Sequence, residues 1–406
     1  MKKLLFALLA ALAFTACSEQ PKHPLLDGEK PLAVWMAESE MARCPSPAQI
    51  DFIPVGKIKW NYTSGLELLA MMEAAKEYDR PDFTAYALRY YDSIVQPDGS
   101  VISYTKERYN IDHICPGRPL FEFYETTGEE CYKMVMDTLW SQLLTHPRIP
   151  DGGFWHKKTY ENQMWLDGIY MGEPYYAEYV MRNIMPKDKA QGEKHVADIV
   201  NQFKMAAKHT YDPATGLFRH AYDDARTQFW CDKTTGQSPH AWGRAMGWYT
   251  MALVETLQYL ELNETTRPMV TILTHIMETL PRYANPESGM WYQVLDSPTR
   301  EGNYEEATGS IMFIYAMMKG ARLGYLDASY QQKGVELFRK FVDRFLKVEE
   351  DGTISITDCC AVAGLGGAGM RSGTYEYYLS EPIRDNDPKA TGPFIWAAME
   401  YERAQR

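Results

Sequence analysis

The chain has 406 residues, with 42 Lys and Arg against 54 Asp and Glu for a formal charge of −12; 45% of it is hydrophobic and 13% aromatic. That length and apolar content allow a large core that needs no disulfide or metal to hold it. The acidic balance argues against nucleic acid and anionic headgroups as partners, but admits an acidic sugar if a few Arg or Lys side chains are gathered in a cleft.

The opening stretch, MKKLLFALLAALAFTAC, sets two lysines before a short apolar run and small residues that end at Cys17. It reads as a secretory signal over residues 1–16 rather than a membrane span. Polar Ser18, Glu19 and Gln20 follow, which points to a bacterial lipoprotein acylated on Cys17, periplasmic or anchored at the outer membrane through the lipid alone. Residues 17–30 are then a tether. Residues 31–406 form a single domain, because no linker or shift in composition offers a cut. The later cysteines, Cys44, Cys115, Cys131, Cys231, Cys359 and Cys360, have no zinc spacing and read as buried thiols, although an oxidising compartment would permit a bridge.

Helical periodicity with start and stop signals gives twelve segments, near 31–44, 62–78, 82–95, 115–127, 128–145, 167–183, 188–209, 240–261, 265–283, 303–324, 328–348 and 388–404. Links after the even-numbered segments are brief, as at Asp79-Arg80-Pro81, and links after the odd-numbered ones are long. Brief links force antiparallel neighbours, so all long loops gather at one end. Those loops share a motif, PDGSVIS from Pro97, DGGFWH from Asp151, PATGLFRH from Pro213, ESGMWY from Glu287 and DGTISI from Asp351, each a turn signal followed by strand-like residues. The repeat predicts an all-α fold, an (α/α)6 toroid with short β-hairpins around one mouth. An open solenoid would end in a polar cap, whereas FIWAAMEYERA from Phe394 keeps an apolar face.

The conspicuous polar residues lie in or beside the long loops. Asp167 sits between Trp165 and Tyr170 and directly before Gly168. A carboxylate among aromatic rings is poorly hydrated and suited to give a proton and take it back. Asp112, in YNIDHICPGR from Tyr109, occupies the equivalent place one inner helix earlier, so the two would face each other across the mouth. Each could instead cap a helix N-terminus. Trp242, Arg244 and Trp248 offer two aromatic faces and a guanidinium, which suit a uronic acid, or else core packing and an ion pair. His156 and Lys157, with His220, add polar groups at the mouth, where a lone histidine is more often a structural hydrogen-bonder than a catalyst. No metal-ligand spacing, nucleophile elbow, Walker loop or dinucleotide fingerprint is present, so no metal and no cofactor is expected. GLGGAGM from Gly364 lacks a preceding βα unit and reads as irregular backbone near a ligand.

Taken together, NIDHICPGR, GGFWHKKTYENQMWLDGIYMGEPYYAEY, the His220 stretch, HAWGRAMGWY and SGTYEYYLSEP resemble the unsaturated rhamnogalacturonyl hydrolases of glycoside hydrolase family 105 and, more distantly, the unsaturated glucuronyl hydrolases of family 88. The resemblance implies an (α/α)6 barrel that hydrates the Δ4,5-unsaturated uronic acid left by polysaccharide lyases. It implies Asp167 as general acid/base, Asp112 as its assistant at the double bond, and His156, His220, Trp242, Arg244 and Trp248 as the lining of the sugar site. A lyase would act upstream. Rhamnose is the default leaving sugar, with sulfated or glucuronyl-rich polymers such as ulvan left open. A non-catalytic carbohydrate-binding lipoprotein, or an epimerase or lyase on the same toroid, are the alternatives.

Overall fold

The computed structural model describes residues 24–26 and 28–406. The signal over 1–16, Cys17 and most of the tether lie outside the described residues. All twelve expected helical segments form, as α1 (Leu32–Arg43), α2 (Tyr62–Tyr78), α3 (Pro81–Ile94), α4 (Pro119–Thr127), α5 (Glu130–Thr145), α6 (Leu166–Tyr179), α7 (Lys189–Thr210), α8 (Gly243–Leu257), α9 (Arg267–Thr279), α10 (Ala307–Arg322) and α11 (Ser329–Phe345), with the last being α13 (Pro388–Gln405). Between them lies an unexpected short helix, α12 (Tyr375–Ser380), started by the Thr374 hydroxyl, which accepts the Tyr377 N–H. Six residues of aromatic-rich loop carry too little periodicity to announce it.

The inner ring runs α2, α4, α6, α8, α10 and α13, and α13 closes it by packing against both α10 and α2. The turn Cys115–Gly117 ahead of α4 fills the gap between α2 and α6. It separates from α4 because Pro116 and Pro119 lack the N–H groups a continuous helix needs. Burial follows position. Every residue of α8 is buried, whereas outer α11 buries Leu337, Phe338, Phe341, Val342 and Phe345 along one stripe. No described helix is long and apolar enough to cross a membrane. All six described cysteines are free thiols.

Each outer helix from α3 onward ends in a hairpin. Val95 pairs with Val101, Arg148 with Phe154, Tyr211 with Phe218 and Ala284 with Trp291, while β3 (Leu346–Val348) pairs with β4 (Ile354–Ile356). The turns place Gly99, Gly152, Gly216, Gly289 and Gly352 at φ between 76° and 95°, where a Cβ is strained. These are the five repeated motifs of the sequence. Pairing also trims the expected helices, since Trp242 bridges Val294 and Glu305 bridges Tyr292, so α8 and α10 start later than their periodicity suggests.

The far end of the barrel is plugged by charge. Glu255, fully buried, accepts from Arg118 Nη2 at 2.8 Å, from Lys319 Nζ at 2.5 Å and from Tyr315 Oη at 2.5 Å. Glu178 accepts from Tyr259 Oη at 2.8 Å and pairs with Arg182 at 2.9 Å. Buried charges survive only when paired and hydrogen-bonded, so the network fixes the helix ends opposite the loops.

Candidate active site

The inner helices direct their N-termini, with the positive ends of their dipoles, at the loop-bearing mouth, which favours an anionic ligand. Two short pairings between different loops build the site there. Asn110 bridges Lys157, and Ile111 N–H donates to the His156 carbonyl at 3.1 Å, which carries His156 and Lys157 to Asp112. β1 (Gln163–Trp165) pairs antiparallel with β2 (Ala221–Asp223), Trp165 opposite Ala221, and Leu166 N–H donates to the His220 carbonyl at 3.1 Å. That sets His220 against the first turn of α6, where Asp167 stands.

Asp112 Oδ2 lies 2.7 Å from Lys157 Nζ, and Oδ1 lies 3.3 Å from His156 Nε2. Burial pushes its pKa up, but the charge of Lys157 and then His156 outweighs burial and brings it down to about 2. Burial also lowers His156 to about 4, although Asp112 and Asp167 both pull it up. His156 therefore feels both carboxylates. The aspartates stand on neighbouring walls with His156 between them, not across the mouth, because successive inner helices are adjacent in the ring and the Asp112 turn packs on α6.

His156 is wedged in place. Its ring stacks on Trp165 at 4.6 Å with an interplanar angle of 6°, and Tyr160 lies parallel to Trp165 at 4.9 Å. The other face of the space is closed by Gly168, where an added Cβ would fall 2.9 Å from His156 Nδ1. The glycine of the WLDG motif is thus what lets α6 pass so close to the imidazole.

Asp167 Oδ2 is 3.2 Å from His220 Nε2, out of line for a hydrogen bond. His220 is fully buried, and its Nδ1 is 2.8 Å from Tyr378 Oη. Burial raises the Tyr378 pKa far above its ordinary value, so the phenol keeps its proton. We assign that O–H as donor to Nδ1, which leaves the Nε2 proton facing Asp167. Neither aspartate caps a helix. Among the described residues no backbone N–H donates to either carboxylate, and Asn110 is the cap that accepts Asp112 N–H, at 3.1 Å.

Arg244 is 1% exposed, donates to the Cys360 carbonyl and lies 4.6 Å over the Trp242 ring. Burial opposes its charge, but Cys360, Asp387 and Glu306 around it more than compensate and raise its pKa. Its Nε has no partner, and it has no ion-pair partner among the described residues. The expected open aromatic faces require correction. Trp242 donates to Gln293 Oε1 at 2.9 Å and stacks on Tyr378, while Trp248 packs on Tyr170 at 4.7 Å and meets Tyr62 edge-on; both indoles are about 1% exposed. Helical geometry turns residues 244 and 248 to one inward face, so Trp248 is floor and Trp242 is the wall behind the guanidinium. Tyr378, Gln293 and Tyr62 were not singled out from sequence; only Tyr378 had a signal, in the SGTYEYYLSEP motif. No three His, Cys, Asp or Glu side chains cluster as metal ligands among the described residues. Arg371 folds GLGGAGM into a tight turn, bridging Gly366 and donating to Tyr160 Oη at 2.9 Å.

The molecule has known relatives. A family model for Glycosyl Hydrolase Family 88 matches residues 32–405. A solved C. acetobutylicum glycoside hydrolase from family 105 is 38% identical, with a TM-score of 0.86 over 92% of this chain and all of that one. Protein Atu3128 of Agrobacterium fabrum is 36% identical over 57% of this chain and 97% of its own length. The unsaturated rhamnogalacturonyl hydrolase YesR of Bacillus subtilis is 23% identical over 73% of this chain and 78% of its own. Matched from its first helix to its last, the chain belongs to Glycosyl Hydrolase Family 88 and is a glycoside hydrolase of the family 88 and 105 kind.

Proposed function

We propose that this protein hydrolyses oligosaccharides ending in a Δ4,5-unsaturated uronyl residue, the ends that polysaccharide lyases leave, by hydrating the C4=C5 double bond. The observation that carries the reading is a pair of carboxylates, Asp112 buried and Asp167 partly buried, in unequal surroundings. Asp112 is clamped by Lys157 and held ionised, whereas Asp167 has no Lys or Arg partner among the described residues and meets only the His220 imidazole, at 3.2 Å. Unequal carboxylates are what an acid and an electrostatic partner need.

Asp167 carries the proton. Delivery to C4 leaves positive charge shared by C5 and the ring oxygen, and the fixed anion of Asp112 stabilises it. Water adds to C5 and returns a proton to Asp167. The hemiketal opens by breaking the bond between C5 and the ring oxygen, and the hemiacetal this leaves at C1 expels the neighbouring sugar. Since the anomeric carbon is not attacked, the carboxylate-spacing rule of ordinary glycosidases does not govern the outcome. Arg244, charged and unpaired, takes the uronate carboxylate.

The name of the B. subtilis relative supports a galacturonyl substrate with rhamnose as the leaving sugar. We place the catalytic unit, residues 31–406, at the cell envelope through acylated Cys17, downstream of a lyase; loss of fatty-acid label in Cys17→Ser would support the anchor, and retained label would exclude it. The reaction is tested by following the near-ultraviolet absorbance of the conjugated uronate in lyase-digested rhamnogalacturonan. Wild type should consume it, and Asp167→Asn should be slower by at least about a hundredfold. Near-normal turnover by Asp167→Asn would refute the assignment.

A further inference from the structure

A cavity of about 690 Å³ opens beside Asp112, its wall including Lys59, Glu107, Arg108, His113, Lys157 and Lys158. Its charge runs against that of the protein. Lys157 is spent on Asp112, yet Lys59, Arg108 and Lys158 remain, each exposed and without an ion-pair partner among the described residues, and only Glu107 opposes them. Lys158 rests its ammonium 5.7 Å above the Tyr109 ring, which leaves the charge free to attract an anion. In a chain of net charge −12, three cations opposed by one carboxylate in one cleft are a local reversal of field.

A second observation points the same way. His113 is buried to 9% exposure on the cavity wall and its Nδ1 has no hydrogen-bond partner. Burial lowers its pKa to about 4 and the Asp112 anion opposes that, while Lys157, Lys59 and Arg108 act with burial, so charged groups from the loop before α2, the loop before α4 and the hairpin after α5 surround one imidazole.

The place of the cavity says what that ligand is part of. Arg244 stands at the start of α8, and Lys59, Asn61 and Tyr62 stand at the start of α2, which is three positions away in a ring of six and therefore on the opposite wall. A saccharide whose unsaturated end meets Arg244 and Asp167 runs past Asp112 into this cavity with its next sugars. We infer that the cavity is a subsite for a second anionic group, a sulfate ester or a further uronate carboxylate on the leaving saccharide, and that Lys59, Arg108 and Lys158 select for it. The inference rests on the hydration reaction proposed above.

The test compares three unsaturated saccharides with the same terminal uronyl residue: one with a neutral reducing sugar, one with a sulfate ester on that sugar, and one extended by a second uronate. kcat/KM is read from the absorbance decay, and Kd from calorimetry on Asp167→Asn. Wild type should prefer at least one anionic compound by about tenfold, the preference should shrink as salt is raised, and the K59A/R108A/K158A triple variant should lose most of it in both readouts. Which anionic compound gains distinguishes sulfate from carboxylate. Equal kcat/KM and equal Kd for all three, or a preference that survives the triple variant, would overturn the subsite. Turnover of the neutral compound reports on the reaction separately, and the calorimetric arm reads the subsite even where turnover fails.

Discussion

Replacing Gly168 by Ala is the smallest change that should separate the site from the fold. The added Cβ would lie 2.9 Å from His156 Nδ1 and 3.3 Å from Ile111 Cγ2. The imidazole has nowhere to go, since Trp165 is stacked on it at 4.6 Å and Asp112 is 3.3 Å from its Nε2. Relief therefore needs a shift of about 0.5 Å in the ring or in the first turn of α6, which carries Asp167. Overpacking of this kind costs about 1–3 kcal/mol, but Ala in place of Gly in a helix returns about 0.5–1 kcal/mol. Stability should thus fall by no more than about 2.5 kcal/mol. Catalysis should suffer more, because a misplacement of 1 Å costs about a hundredfold and half of that about tenfold. The assay is kcat/KM from the absorbance decay, alongside a thermal melt. A Gly168→Ala enzyme within about twofold of wild type would show that His156 and Asp167 are not held by this contact.

Three further outcomes follow from the electrostatics. Lys157→Met removes the main charge that holds Asp112 ionised at about 2, so the acid limb of the kcat/KM profile should move up by about one pH unit or more; an unmoved limb would mean that Asp112 need not be charged. Glu67 is fully buried beside Glu40, and burial, then the neighbouring carboxylate, raises its pKa well above 4.5. The folded state keeps a proton that the unfolded chain loses, so Glu67→Gln should be more stable than wild type at neutral pH, with the gap closing below about pH 4.5; denaturant midpoints at the two pH values check the sign. Glu255→Ala strips the buried partner from Arg118 and Lys319 and should cost about 3–5 kcal/mol in chemical denaturation, while a loss below about 1 kcal/mol would show the plug to be unimportant.

Much of the architecture was legible without coordinates, and for a local reason. Helix periodicity, the brief links after even-numbered helices, and the five repeated turn motifs are each encoded within a few residues, and a glycine at positive φ can be read from its neighbours. The apolar face of α13 even indicated a closed ring, which its packing on α2 and α10 bears out. Candidate chemistry was legible to the extent that residue type and motif could mark it, which is why Asp112, Asp167, His156, His220 and Arg244 were singled out.

What the sequence could not supply is the partner of each. Lys157 reaches Asp112 only because the hairpin after α5 crosses to the loop before α4, and His220 reaches Asp167 only because β1 pairs with β2 across two loops. Tyr378 acquires its bond to His220 from a stretch 158 residues away. Trp242 and Trp248 look the same in sequence whether a sugar or the protein covers them, and tertiary packing decided for the protein. Periodicity fixes which face of an element is buried; closure of the ring alone determines which loops meet over its mouth, and it is those meetings that set the charge, tautomer and room available to each group in the site.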